Sequence, residues 1–161
     1  MNGQAEFDAL RTSRLGSELS DEQARTLSGI VTFRDLAPGT VLVQEGAADN
    51  HLYVIVSGVL GVIRNAGRDD EVTLVSLGAG DLVGELGFID GSPHYAALVA
   101  TSPTRVFGLE REKLESLLQV HPEIVYRVMR AIIRTVHQIQ RRLSMQSVEL
   151  ANYIYKQHGR Y

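Results

Sequence analysis

The strongest constraint on this chain is a change of texture along its length. From Thr32 to about Leu109, short runs rich in β-branched residues are broken again and again by glycine, at Gly39, Gly46, Gly58, Gly67, Gly78, Gly80, Gly84 and Gly91. Glycine supplies the backbone freedom of tight turns, so runs of this length between glycines spell strand, turn and strand. The segments 40–44, 52–56, 59–64, 72–76, 97–100 and 104–108 each suit a strand. Short strands at such spacing predict a sandwich or barrel. The polar stretch from Arg64 to Glu71 lies between two of them and reads as a solvent-exposed hairpin loop.

On either side the hydrophobic period becomes helical. Ser20 is a candidate N-cap with Gln23 completing a capping box, and Ala24, Leu27, Ile30 and Val31 follow at helical spacing, which predicts a short helix within 17–31. A second helix is predicted over 112–119. Pro122 then suits the first turn of a third, and neither proline nor glycine recurs before about Lys156. Along this long helix Met129, Ile132, Val136, Ile139, Leu143, Gln146, Leu150 and Tyr153 follow one another by alternating three and four residues, and all but Gln146 are apolar. A repeat of 3.5 residues held for about three heptads predicts a seam against a second helix, and hence a parallel homodimer. The expected interface residues are Met129, Ile132, Val136, Ile139, Leu143 and Leu150. The competing possibility is that the stripe packs on its own chain. Val125, Val128 and Ile133 widen the stripe near its start, so the first turns are expected to touch both bodies. Arg127, Arg130, Arg134, Arg141 and Arg142 form a basic flank of the kind that usually faces solvent.

A length of 161 residues fits one core, divided here into residues 1–121, carrying the strands, and 122–161, carrying the long helix and tail. The 16 Lys and Arg against 19 Asp and Glu leave a net charge of −3, which offers no basic field for a nucleic-acid backbone. No nucleic-acid partner is expected. Cysteine is absent, which excludes disulfides and thiolate metal sites. The N-terminus lacks the basic and apolar regions of a secretory leader, and no window has the apolar length of a membrane span, so the expectation is a cytoplasmic protein without membrane contact. His51, His121, His137 and His158 show no metal spacing. No nucleophile–base pattern appears, and Glu85 has no carboxylate partner for acid–base work. Neither a catalytic nor a metal site is expected, and the chain reads as a non-enzyme.

The segment from Gly78 to Ala100 carries the functional signal. Gly78, Gly80 and Gly84 permit tight turns, and 85–89 suits a single helical turn whose first amides are free to meet an anion. The spacing Gly-x-Gly-x-x-x-Gly, with no long helix after it, is not a dinucleotide fingerprint. Together with Pro38-Gly39, Leu42, Glu45-Gly46, Leu52-Tyr53-Val54-Ile55, Ser57-Gly58-Val59 and the Gly80-Asp81 turn, this order of features resembles the cyclic-nucleotide-binding domain family, to which the catabolite activator protein, protein kinase A regulatory subunits and cyclic-nucleotide-gated channels belong. The resemblance spans roughly 15–145. It implies a mainly β fold with flanking helices: a double-stranded β-helix, or jelly-roll, barrel followed by a long dimerising helix. It also implies a cyclic nucleotide, cAMP or cGMP, as ligand rather than any fixed cofactor.

Family cassettes read Gly-Glu-Leu-Ala-Leu-Leu, a short loop, then Arg-Ser/Thr-Ala, and the resemblance gives each part a role. The glutamate accepts the ribose 2′-hydroxyl, helix amides bind the cyclic phosphate, and the arginine pairs with it. By position Gly84, Glu85, Leu86, Gly87, His94, Tyr95 and Ala96 form the candidate ligand site, with His94 in place of the arginine and Tyr95 in place of the hydroxyl residue. Arginine offers phosphate a permanently charged fork, whereas histidine offers one donor and is mostly neutral at about pH 7. Losing that contact costs about 1.5–3 kcal/mol, roughly 10- to 100-fold in affinity. Arg64, Arg68 and Arg105 are the arginines considered as stand-ins.

Two functions follow. In one, the cassette still binds a cyclic nucleotide or another phosphorylated ligand, and the chain is a regulatory sensor that signals through protein partners. In the other, Glu85 hydrogen-bonds the cassette backbone and the domain is a scaffold subunit of an assembly. Transcription factors with this domain continue into a helix-turn-helix, and the end of this chain at Tyr161 leads to the expectation of a stand-alone module, with a remnant of a transcription regulator as third choice.

Overall fold

The structure is a computed structural model and describes residues 3–158, so the last residues of the tail lie outside it. Helix α1 (Gly3–Thr12), a 3-10 turn (Gly16–Glu18) and α2 (Asp21–Ser28) precede eight strands: β1 (Thr32–Leu36), β2 (Val41–Val43), β3 (His51–Ser57), β4 (Leu60–Arg64), β5 (Val72–Leu77), β6 (Leu82–Val83), β7 (Ala97–Ala100) and β8 (Thr104–Glu110). Helix α3 (Glu85–Asp90) lies between β6 and β7, and α4 (Arg111–Glu115) and α5 (Pro122–His158) follow. The strands form two antiparallel four-stranded sheets, ordered β1-β8-β3-β6 and β2-β7-β4-β5. The fold is a jelly-roll-like one, mainly β, with a long C-terminal helix. It corrects the expected barrel in one respect: the sheets do not close, and β1, β6, β2 and β5 remain edges.

Strand β3 shows how the core divides. Its alternate residues point to opposite faces of the sheet. Leu52 and Val54 enter a cluster with Leu10, Leu27, Phe88, Phe107, Ile124, Val128 and Ile132, beneath the helices. Tyr53 and Ile55 enter a second cluster with Leu60, Val62, Leu98, Ala100 and Val106, between the sheets. A strand covered on both sides is apolar at every position, which is why 52–56 reads as a continuous run rather than an alternation.

The capping box forms as expected, with the Gln23 amide donating to Ser20 Oγ and the Ser20 amide donating to Gln23 Oε1. Its helix ends at Ser28, so Ile30 and Val31 pack against the core from outside it. Strands β1 and β6 and helix α1 were not anticipated, and α4 ends at Glu115, short of the expected 119. The 64–71 loop joins β4 to β5 as expected. Glu45 holds its base, accepting from Arg64 Nε at 3.2 Å and the Asn65 amide at 2.9 Å.

Helix α5 begins as a core element and leaves the body part way along. Ile124, Val128, Ala131, Ile132 and Thr135 are buried, and every residue from Val136 to Lys156 is exposed. Two expected seam residues are therefore reassigned: Ile132 is fully buried in its own chain, and Met129 packs partly buried against the same cluster. Three arginines of the basic flank are likewise occupied. Glu18, 11 % exposed, pairs with Arg130 Nε at 3.4 Å and with Arg134, while its carbonyl accepts from Arg127 at 2.7 Å. Arg14 adds a second tie, donating to Gln138 at 2.6 Å and lying 3.4 Å from Asp81. No helix among the described residues is long and apolar enough to cross a membrane.

Candidate ligand-binding site

Residue Gly84 makes the turn from β6 into α3, with φ of +84°, a conformation that side chains with a Cβ rarely adopt. A Cβ there would lie 3.0 Å from the His51 carbonyl oxygen and 3.5 Å from His94 Cε1. The turn thus sets the first residues of α3 directly over the start of β3, and helical geometry leaves their amides without an intrahelical acceptor. Helix α3 faces inward through Gly87 and Phe88, both buried, while Leu86 and Ile89 face out.

The floor under α3 is a hydrogen-bonded set. Asp49 accepts from the His51 amide at 3.0 Å and from the Tyr53 hydroxyl at 2.8 Å, and it contacts His51 Nδ1 at 2.8 Å. The His51 and Tyr53 rings stack with centroids 5.7 Å apart. Burial, and then the Asp49 carboxylate, push the Tyr53 phenol well above its ordinary range.

The loop between α3 and β7 is tied by its main chain. The His94 amide donates to the Ala47 carbonyl at 2.9 Å, and the Gly46 amide donates to the His94 carbonyl at 2.7 Å. The His94 ring turns under α3, where its Nε2 is buried without a hydrogen-bond partner. Tyr95 points outward, 60 % exposed, and Ala96 is buried in the inter-sheet cluster.

All seven sequence-derived site residues, Gly84, Glu85, Leu86, Gly87, His94, Tyr95 and Ala96, line one cavity of about 410 Å³. A volume of this order suits a small organic ligand. Strands β4 to β7 supply apolar walls such as Val62, Leu77, Val83 and Leu98, and α5 closes the remaining side with Ile139, Arg142, Leu143 and Gln146. The expected seam residues Ile139 and Leu143 thus border the cavity of their own chain. A depression along α5 between Gln138 and Glu149 borders the same Arg142 and Gln146, and its walls come from that helix alone.

The Glu85 carboxylate forms no hydrogen bond or ion pair among the described residues, unlike the scaffold alternative, in which it bonds the cassette backbone. The three considered arginines are elsewhere. Arg64 pairs with Glu45, Arg105 lies near Glu6 at 3.8 Å and Asp35 at 3.7 Å, and neither they nor Arg68 line the cavity. The arginine that does so is Arg142, which the sequence reading left on a solvated flank. Its signal was available in the i, i+3, i+4, i+7 spacing of Ile139, Arg142, Leu143 and Gln146, which puts them on one helical face.

Two open antiparallel sheets, a glycine-started short helix over a small cavity and a long helix across its mouth define a jelly-roll domain with a candidate ligand cavity. The chain belongs to the family described as "Cyclic nucleotide-binding domain", whose model matches residues 33–121. It is similar to the CRP-like cAMP-activated global transcriptional regulator of Mycobacterium tuberculosis, 27% identical over 110 residues that cover 68% of this chain and 49% of the relative. It is also similar to the cAMP-activated global transcriptional regulator CRP of Salmonella typhimurium, 31% identical over 114 residues that cover 70% of this chain and 51% of the relative. The chain spans about half the length of these relatives. Among solved structures, a cyclic nucleotide-binding domain from Methylobacillus flagellatus superposes with a TM-score of 0.75 at 26% identity, covering 87% of this chain and 79% of its own.

Proposed function

We propose that this chain is a regulatory module that binds a cyclic nucleotide, cAMP or cGMP, and passes its occupancy through a homodimer to protein partners in the cytoplasm, without catalysing a reaction. The observation that carries this reading is the unpartnered Glu85 carboxylate, held at the wall of a mainly apolar 410 Å³ cavity. A carboxylate with no protein partner at the wall of a solvent-open cavity is free to accept from a ligand donor, and the resemblance assigns that donor as the ribose 2′-hydroxyl. The relatives named as cAMP-activated regulators support the same ligand class. Since α5 forms part of the wall, filling the cavity changes what α5 packs against, and any partner bound along α5 senses the change.

Homodimerisation rests on the exposed apolar positions that remain after the reassignment, Val136 and Leu150, with Ile133 beside them. A helix that is apolar along an exposed stripe gains from burying it against a copy of itself.

Calorimetric titration of the purified chain with cAMP, cGMP and cyclic dinucleotides tests the ligand. Saturable binding of a cyclic mononucleotide is the expected result. Absence of binding in the wild type, with binding gained in a His94→Arg, Tyr95→Ser variant, would instead support the scaffold reading, which has in its favour that histidine stands where the resemblance places arginine.

A further inference from the structure

We propose that Arg142 supplies the fixed positive charge of the cavity, so that an anionic group of the ligand is held from α5 rather than from the loop after α3; the inference rests on the ligand reading just given. The cavity wall contains just two residues with a permanent charge near neutral pH, Glu85 on α3 and Arg142 on α5. They come from opposite sides, one from the cassette and one from the helix across the mouth. The site therefore presents an acceptor for hydroxyls and a cation for an anion, which together fit a sugar phosphate.

The position where the family pattern places arginine does not compete for this role. His94 is turned under α3, with Nε2 buried 3.3 Å from where a Cβ of Gly87 would sit, and it carries no fixed charge. Arg142, in contrast, is available. Three of the other flank arginines are committed, Arg127, Arg130 and Arg134 to Glu18, and Arg141 does not line the cavity, whereas Arg142 lines it and makes no ion pair or hydrogen bond among the described residues. Arginine's planar fork suits a phosphate, and its long stem lets the charge reach into the cavity from an exposed helix face.

This placement has a mechanical consequence. With the cation on the loop, the anion's strongest contact is made within the cassette, and the long helix responds second-hand. With the cation on α5, the same contact bridges the cassette and the part of α5 that has left the core, beyond Thr135. Ligand affinity and the position of α5 are then linked directly: any partner that draws α5 away from the cavity weakens ligand binding by the same factor that ligand weakens the partner.

The test is calorimetric titration of the full chain with cAMP for wild type, Arg142→Gln and Arg142→Lys, each at low and high NaCl. Arg142 is exposed, so both variants should fold, which circular dichroism verifies. The expected result is an affinity about 10-fold lower for R142Q, the smaller end of the range for a charge-assisted contact because the cavity is open to solvent. R142K, which keeps the charge but not the fork, should fall between wild type and R142Q, and the salt dependence of the wild type should be steeper than that of R142Q. Binding by R142Q within about twofold of wild type, or R142K as weak as R142Q, would overturn the charge assignment while leaving the cyclic-nucleotide reading in place. A wild type that binds neither cAMP nor cGMP would overturn both.

Discussion

The imidazole of His94 occupies the space beside Gly87: a Cβ added at Gly87 would stand 3.3 Å from His94 Nε2 and 2.7 Å from the Asp49 carbonyl oxygen. Family cassettes have alanine at this position, so the loss of a methyl on α3 and the inward turn of a bulky ring in the following loop belong together. Glycine also lets α3 sit lower on β3 than an alanine would permit.

Replacing Gly87 by alanine should therefore destabilise the domain even though alanine is the better helix former. The clash is with backbone, which yields little, and overpacking of this kind costs about 1–3 kcal/mol against a helix-propensity gain of about 1 kcal/mol. Urea unfolding of Gly87→Ala should show a lower midpoint with an unchanged slope, and a midpoint equal to or above wild type would mean that α3 has room to lift.

Glu85 should discriminate ribose from deoxyribose. With the carboxylate otherwise unpartnered, a 2′-hydroxyl gains an acceptor that 2′-deoxy-cAMP cannot use. A hydrogen bond to a charged group contributes about 1.5–3 kcal/mol, so Glu85→Ala should lose about 10- to 100-fold in cAMP affinity and bind cAMP and its 2′-deoxy analogue alike. Calorimetry with both ligands on both proteins reads this directly.

Much of this was legible before the structure, and the parts that were not share physical causes. The capping box at Ser20 and Gln23, the strand runs and the cassette glycines are local signals, set by turns and hydrogen bonds within a few residues, and they hold in the structure. Strand β6 at Leu82–Val83 is too short to show a period, and β1 carries Arg34 and Asp35 in its middle, which hides it. The heptad stripe of α5 was visible, but a stripe records only that one face is apolar. Whether Ile132 meets its own core, Ile139 its own cavity and Leu150 a second helix is decided by where α5 leaves the body, which depends on the contacts of Glu18 and Arg14 with it. Arg142 was missed for the same reason, since its face has meaning only once the cassette lies opposite.

Tyr53 should give the domain a specific alkaline weakness. Its phenol is raised from an ordinary value of 10.0, first by burial and then by its hydrogen bond to Asp49, so the folded state prefers the neutral form. A group whose pKa is raised on folding contributes its full stability below the unfolded value and loses it as pH rises above that value. The unfolding midpoint of wild type should thus fall more steeply above about pH 10 than that of Tyr53→Phe. At neutral pH the variant should be less stable by about 1 kcal/mol, the loss of one hydrogen bond.

Three positions that the sequence placed on one seam should divide into two behaviours when charged, Val136 and Leu150 against Ile132. Val136 and Leu150 are 36 % and 60 % exposed, so glutamate at both leaves the carboxylates in water in the isolated chain. The Val136→Glu, Leu150→Glu variant should keep its helical circular dichroism and an intrinsic stability within about 0.5 kcal/mol, as surface substitutions do. It should sediment as a monomer and the wild type as a dimer, because bringing two such helices together in the variant would bury facing charges. Ile132 has no exposed surface and packs with Val128 and Phe107 in the cluster under the helices. Ile132→Glu places a charge there without a partner, a cost of several kcal/mol, and should unfold the domain rather than merely separate protomers. Sedimentation equilibrium together with urea unfolding distinguishes these outcomes, and a folded monomeric Ile132→Glu protein would return that residue to the seam and place the departure of α5 from the core a turn or more earlier.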